Sequence, residues 1–115
     1  MPGPDLEERR IDDGPLTIHT GTLTEPCTLR LEGELDLSNA NTLSGELARV
    51  AAGPVSTIVL DLGGLTFLDS TGISCLVQAA RSYSDRPRLR ILKPTGEVGR
   101  VLALTGVDRV LPFAD

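Results

Sequence analysis

The chain has 115 residues, of which 40% are hydrophobic and 23% charged, and a formal charge of −5. That length suits one domain able to bury about two thirds of its unfolded surface, with the composition of a globular rather than a disordered or fibrous protein. No basic block occurs beyond Arg9-Arg10 and aromatics make up only 3%, so the chain has neither the electrostatic footprint nor the stacking platform that nucleic acid requires.

The N-terminus, MPGPDLEERRIDDG, is acidic and punctuated by proline and glycine. It lacks the apolar core of a signal peptide, and no later run approaches a membrane span. The expectation is a loose tail over residues 1–14 and one domain over 15–115, in a soluble, cytoplasmic protein with no membrane partner. Cys27 and Cys75 are far apart and lack CxxC spacing. They suggest neither a disulfide framework nor a zinc site, but buried free thiols.

LTIHTGTLTEPCTLRLEGEL contains two alternating, β-branched-rich runs parted by TEP, the pattern of an N-terminal β-hairpin. In DLSNANTLSGELARVAAGP, Ala40, Leu43, Leu47 and Val50 share one helical face, with Ser38 the expected N-cap and Gly53-Pro54 the stop. STIVLDL is a continuous apolar run, as in a strand buried within a sheet. After GGLTFLDSTG, residues Ile73, Leu76, Val77 and Ala80 recur at amphipathic helical spacing as far as about Tyr83. Gly63-Gly64 reads as a turn.

RLRILKP reads as a further strand. TGEVGRVLALTG reads as a third helix with Val98, Val101 and Leu102 on one face and Gly106 as its stop, and RVLPF as a short last strand. Such alternation predicts an α/β domain, a mixed β-sheet of about four to five strands with α-helices packed on it, because parallel neighbours need helical crossovers.

The segment TFLDSTGISCLVQAARS sets aspartate, serine, threonine and glycine before a helix. Asp69 or Ser70 is suited to cap that helix by accepting a bond from a free backbone N–H. The same physics permits a second use. A phosphoryl group on Ser70 would lie at the positive end of the helix dipole, near unpaired N–H donors, and would add about 1.5 to 2 negative charges beside Asp69. Gly72 leaves the helix start open to a partner, or is simply a small residue in a turn. Thr71 is the rival hydroxyl, and local chemistry does not choose between it and Ser70.

IVLDLGGLTFLDSTGISCLVQA resembles the signature of the STAS-domain family, specifically its stand-alone anti-anti-sigma factors (anti-sigma factor antagonists). LRLEGELDLSNANTL is similar to that family's second strand and its GELD turn into the first helix, and VGRVLALTGVDRVLPF to its last helix and final strand. The resemblance implies a protein that binds an anti-sigma factor with serine kinase activity, so releasing a sigma factor for transcription. It further implies that the kinase phosphorylates the serine after the motif's aspartate, here Ser70, and that a serine phosphatase reverses this.

Asp69 would then orient the hydroxyl, Asp36 would lie beside the same site, and Thr71 would be a neighbour rather than the target. Together with Leu37, Ser38, Leu68, Gly72 and Ile73, these residues form the expected partner surface. Leu37 and Leu68 are its apolar anchors, unless they fold onto the core as ordinary loop residues.

Other classes fit less well. A phosphoacceptor receiver domain would use Asp12-Asp13, Asp61 and Lys93-Pro94, but LEERR precedes the paired acids where an apolar first strand should carry them. Asp61 then reads as a strand-end carboxylate satisfied by backbone N–H groups. A STAS scaffold without a phosphorylation cycle, as in a lipid-transport or stress-signalling assembly, is the second reading. An enzyme is not expected, since His19 stands alone in an alternating strand and neither GxxxxGK[ST] nor GxGxxG occurs. No cofactor or metal is expected.

Overall fold

The computed structural model describes residues 9–114. Five strands, β1 (Arg9–Asp13), β2 (Leu16–Thr20), β3 (Cys27–Leu35), β4 (Thr57–Leu68) and β5 (Arg88–Leu92), form one sheet in the order β1-β2-β3-β4-β5. The pairs β1/β2 and β2/β3 are antiparallel, and β3/β4 and β4/β5 are parallel. Each parallel step needs a crossover, supplied by α1 (Ala40–Ala51) between β3 and β4 and by α2 (Ser70–Ser82) between β4 and β5. α3 (Gly96–Thr105) follows, and Gly106 ends it in the left-handed conformation at φ 76°. The mixed α/β sheet and the hairpin expected around TEP, now β2/β3, are both present.

The core lies on one face of the sheet. Leu16 and Ile18 of β2, Leu29 and Leu31 of β3, Ile58 and Leu60 of β4, and Leu89 and Ile91 of β5 are all buried with period two. They meet Leu43, Leu47 and Val50 of α1, Leu76 of α2, and Val98 and Leu102 of α3. The opposite face carries polar side chains, among them Thr17, His19, Arg30 and Glu32. His19 is a sheet residue there, with Nε2 2.8 Å from Glu32 Oε1. Cys27 is buried and Cys75 half-buried, both as free thiols.

Four expectations are corrected. First, Arg9–Asp13, assigned to the loose tail, is strand β1: Gly14-Pro15 turns the chain so that Arg9 to Asp13 pair with Thr20 to Leu16. Residues 1–8 of the expected tail lie outside the described residues. The paired acids of RRIDD thus do lie in a strand, but three strand spacings, about 14 Å, separate it from β4 and Asp61. Among the described residues no cluster of three or more histidine, cysteine, aspartate or glutamate side chains is placed to hold a metal.

Second, Gly63-Gly64 is not a turn. β4 runs through it to Leu68, with one extra residue between Asp61 and Gly64 and another between Leu65 and Phe67 relative to β3. These bulges stretch the spacing of buried positions from two to three, so that Leu62, Leu65 and Leu68 all reach the core. Asp61, accordingly within a strand and not at its end, accepts a hydrogen bond from Gly63 N–H at 2.8 Å. Third, RVLPF forms no strand: Val107–Arg109 is a 3-10 turn, and Phe113 makes a single parallel bridge to Ile91. Fourth, Ser38 does not cap α1, because Asn39 holds the cap position.

One polar cluster is built into the core at the Thr20 end of β2. Glu46 of α1 is buried, accepts the Thr20 hydroxyl at 2.6 Å and two Arg49 bonds at 3.0 and 2.9 Å, and lies 3.3 Å from Arg9 Nε. Burial alone would raise its carboxyl, but the hydrogen bonds from Arg49 and Thr20 and the charges of Arg49 and Arg9 outweigh it. They hold the group below the usual glutamate range.

Candidate functional site

The parallel strands β3 and β4 end side by side at Leu35 and Leu68, which are register partners, and the two loops leaving them meet. Asp69 joins the loops. Its Oδ1 accepts the Gly72 N–H at 2.8 Å, capping α2, and its Oδ2 accepts the Leu37 N–H at 3.2 Å, tying down the loop before α1. Its own N–H donates to the Leu35 carbonyl at 3.3 Å. One carboxylate thus fixes both the start of α2 and the position of Leu37.

The loop before α1 is equally well fixed. Asp36 Oδ1 accepts both the Ser38 N–H at 2.9 Å and the Ser38 hydroxyl at 2.6 Å. Buried Asn39 accepts the Asp36 N–H at 2.9 Å through Oδ1 and donates from Nδ2 to the Glu34 carbonyl at 3.0 Å. The Ser38 hydroxyl is therefore committed to the loop, which is why it does not cap the helix. With its backbone held on both sides, Leu37 is 77% exposed.

An open groove at this corner is lined by Asp36, Leu37, Ser38, Phe67 and Asp69. Phe67 is 47% exposed, and sequence reasoning missed it as a surface residue. The available signal was its position: in a strand whose inward residues are Leu65 and Leu68, the residues between them face out.

The expected site residues therefore separate by exposure. Ser70 is exposed at the first position of α2, and since Asp69 supplies the cap, the Ser70 hydroxyl takes no part in it. Thr71 and Ile73 are half-buried, Ile73 packing against the core. Leu68 and Gly72 are corrections: Leu68 is buried in the core, and Gly72 faces inward, where a Cβ would lie 2.6 Å from Leu68 Cδ1 and 2.8 Å from the Leu35 carbonyl oxygen. Gly72 lets the helix start press onto the strand ends instead of opening it to a partner.

The family model described as Mlab, STAS domain matches residues 18–112. The anti-sigma F factor antagonist of Lysinibacillus sphaericus is 29% identical over 85 residues, 72% of this chain and 73% of that protein. An anti-sigma factor antagonist from Mycobacterium paratuberculosis superposes with a TM-score of 0.68 at 22% identity, covering 98% of this chain and 89% of that one.

The antagonist SpoIIAA superposes in its unphosphorylated form with a TM-score of 0.64, at 23% identity over 85% of this chain and 88% of its own. The phosphorylated form of SpoIIAA, from Bacillus, gives 0.60 at 23% identity over 85% and 91%. The superpositions establish the fold, and the family match extends from β2 to the segment that bridges β5. This chain belongs to the STAS-domain family.

Proposed function

We propose that this STAS domain is an anti-sigma factor antagonist that works in the cytoplasm. Unphosphorylated, it binds an anti-sigma factor with serine kinase activity and so releases a sigma factor. Phosphorylation of Ser70 ends that binding, and a serine phosphatase restores it. The observation that carries this reading is the division of labour at the start of α2, where Asp69 does the capping and Ser70 presents an exposed hydroxyl that makes no hydrogen bond among the described residues. A serine needed as the cap would lose its bond on modification; this one would not.

In the transfer, Ser70 Oγ attacks the γ-phosphorus of ATP held by the kinase. The hydroxyl proton passes to a base on the kinase, the bond to the β-phosphate breaks, and ADP leaves. The protein needs no catalytic group, metal or cofactor of its own. The new dianion gains from the N-terminal dipole of α2 and lies next to Asp69 in the chain. Leu37 and Phe67, with Asp36, Ser38 and Asp69 lining the same groove, form the contact surface, to which Thr71 and Ile73 at the start of α2 would add; Leu68 and Gly72 support it from below. Placing a doubly charged group beside a partly apolar contact surface disfavours any partner packed there. The antagonist name of the Lysinibacillus sphaericus relative supports the same reading.

The test is phosphosite mapping by mass spectrometry on protein incubated with ATP and a lysate of its source organism, then recovered with whatever binds. Phosphate on Ser70, with a kinase that co-purifies before ATP is added and departs afterwards, is the expected result. An unmodified Ser70 with a partner that stays bound despite ATP would overturn it in favour of a scaffold role.

A further inference from the structure

We infer that the exposed edge of β1 pairs with the same edge of a second copy of this chain, forming a two-fold symmetric dimer. Among the described residues β1 has a neighbour, β2, on one side only. Its sequence, Arg9-Arg10-Ile11-Asp12-Asp13, is charge-complementary to itself when reversed. In an antiparallel pair centred on Ile11, Arg10 faces Asp12 of the other copy, twice by symmetry. The outer positions Arg9 and Asp13 also face each other, but these two already serve Glu46 and Thr42 of their own copy, so the charge match rests on Arg10 and Asp12.

The backbone agrees with that centre. Asp13 and Leu16 are register partners closing the two-residue loop Gly14-Pro15, so they exchange hydrogen bonds across the hairpin. Alternation then turns the N–H and C=O groups of Arg9, Ile11 and Asp13 toward β2, and those of Arg10 and Asp12 toward the open edge. A dyad at Ile11 makes Arg10 and Asp12 hydrogen-bonded partners across the interface, in the register that also pairs their opposite charges.

Ile11 is half-buried against the core, and at the dyad it would meet its symmetry mate and continue that core between copies. The other edge of the sheet is covered: Ile91 N–H donates to the Pro112 carbonyl at 3.0 Å and its carbonyl accepts the Ala114 N–H at 2.8 Å. Pairing at β1 therefore stops at two copies instead of running on into fibres. Charges on an edge strand ordinarily prevent pairing, but only when the approaching charges are alike.

The test is sedimentation equilibrium on the full-length chain, alone, across micromolar to millimolar concentration, with circular dichroism to show that each variant is folded. The wild type is expected to form a reversible dimer. Arg10→Asp sets a new carboxylate against Asp12 of the other copy at both symmetry-related positions, and Asp12→Arg sets a new guanidinium against Arg10. Each should weaken dimerisation about tenfold or more. The double exchange R10D/D12R restores opposite charges and should restore the dimer. A monomer throughout the range, a dimer indifferent to the single changes, or a double variant no tighter than the singles would each overturn the inference.

Discussion

The two ends of the sheet treat polar side chains in opposite ways. At one end, Glu46 is enclosed by Thr20, Arg49 and Arg9, and every partner is spent on holding it inside the core. At the other, Asp69 and Asp36 are spent on backbone N–H groups, so the loops are rigid while Leu37, Phe67 and Ser70 stay exposed. The first arrangement maximises internal satisfaction; the second uses it to present a surface. Mutations at the first end should therefore act on stability, and those at the second increasingly on recognition.

The largest effect is expected at Glu46. Glu46→Ala leaves the buried Thr20 hydroxyl and the Arg49 guanidinium without their acceptor and should cost about 3 kcal/mol, read by urea denaturation. The sign of its pH dependence follows from the lowered carboxyl pKa. A group held below its unfolded value stabilises the fold above the unfolded pKa and loses that contribution as pH falls toward the folded one. Wild-type stability should thus drop below about pH 5 more steeply than that of Glu46→Gln, and parallel curves for the two proteins would count against the assignment.

Next in size is Gly72→Val, which drives a branched side chain into Leu68 and the Leu35 carbonyl and should cost about 2–3 kcal/mol. If Gly72 were instead an opening for a partner, the variant would keep its melting temperature and lose only binding. Asp69→Ala removes the cap of α2 and the tie to Leu37 and should cost about 1–2 kcal/mol. Hydrogen exchange should then quicken at both the Gly72 and Leu37 amides. Quickening at Gly72 alone would show that the two loops are not coupled through this carboxylate.

These residues also show what was legible in the chain. The α1 face of Ala40, Leu43, Leu47 and Val50, the Gly106 stop and the Asp69-Ser70 helix start were readable because each rests on local spacing or a local conformation. The continuation of β4 through Gly63-Gly64 was not, since two bulges break the period-two pattern and glycines in a strand look like a turn. β1 escaped because an edge strand paired on one side needs little apolar surface. What the two bulges change is Leu65, which strict alternation from Leu62 would turn outward. Together they add two residues, so Leu68 and Phe67 keep the phase of an unbroken strand and were hidden only by the reading of Gly63-Gly64 as a turn.

The smallest stability effect should come from the residue on which the proposed function depends most. In Ser70→Ala the hydroxyl lost is exposed and outside the cap, while alanine favours the helix, so stability should stay within about 0.5 kcal/mol of wild type. Ser70→Asp, with a carboxylate near unpaired N–H groups of the first turn, should be equally well folded. The two should differ only toward a partner: the alanine variant binding the kinase whether or not ATP is present, the aspartate variant binding weakly because a partner packed on Leu37 and Phe67 would have to desolvate the added carboxylate. A melting curve that separates them would mean that Ser70 belongs to the structural machinery of the helix start. Equal stability with unequal affinity would place its role at the surface that Asp69 and Asp36 hold open.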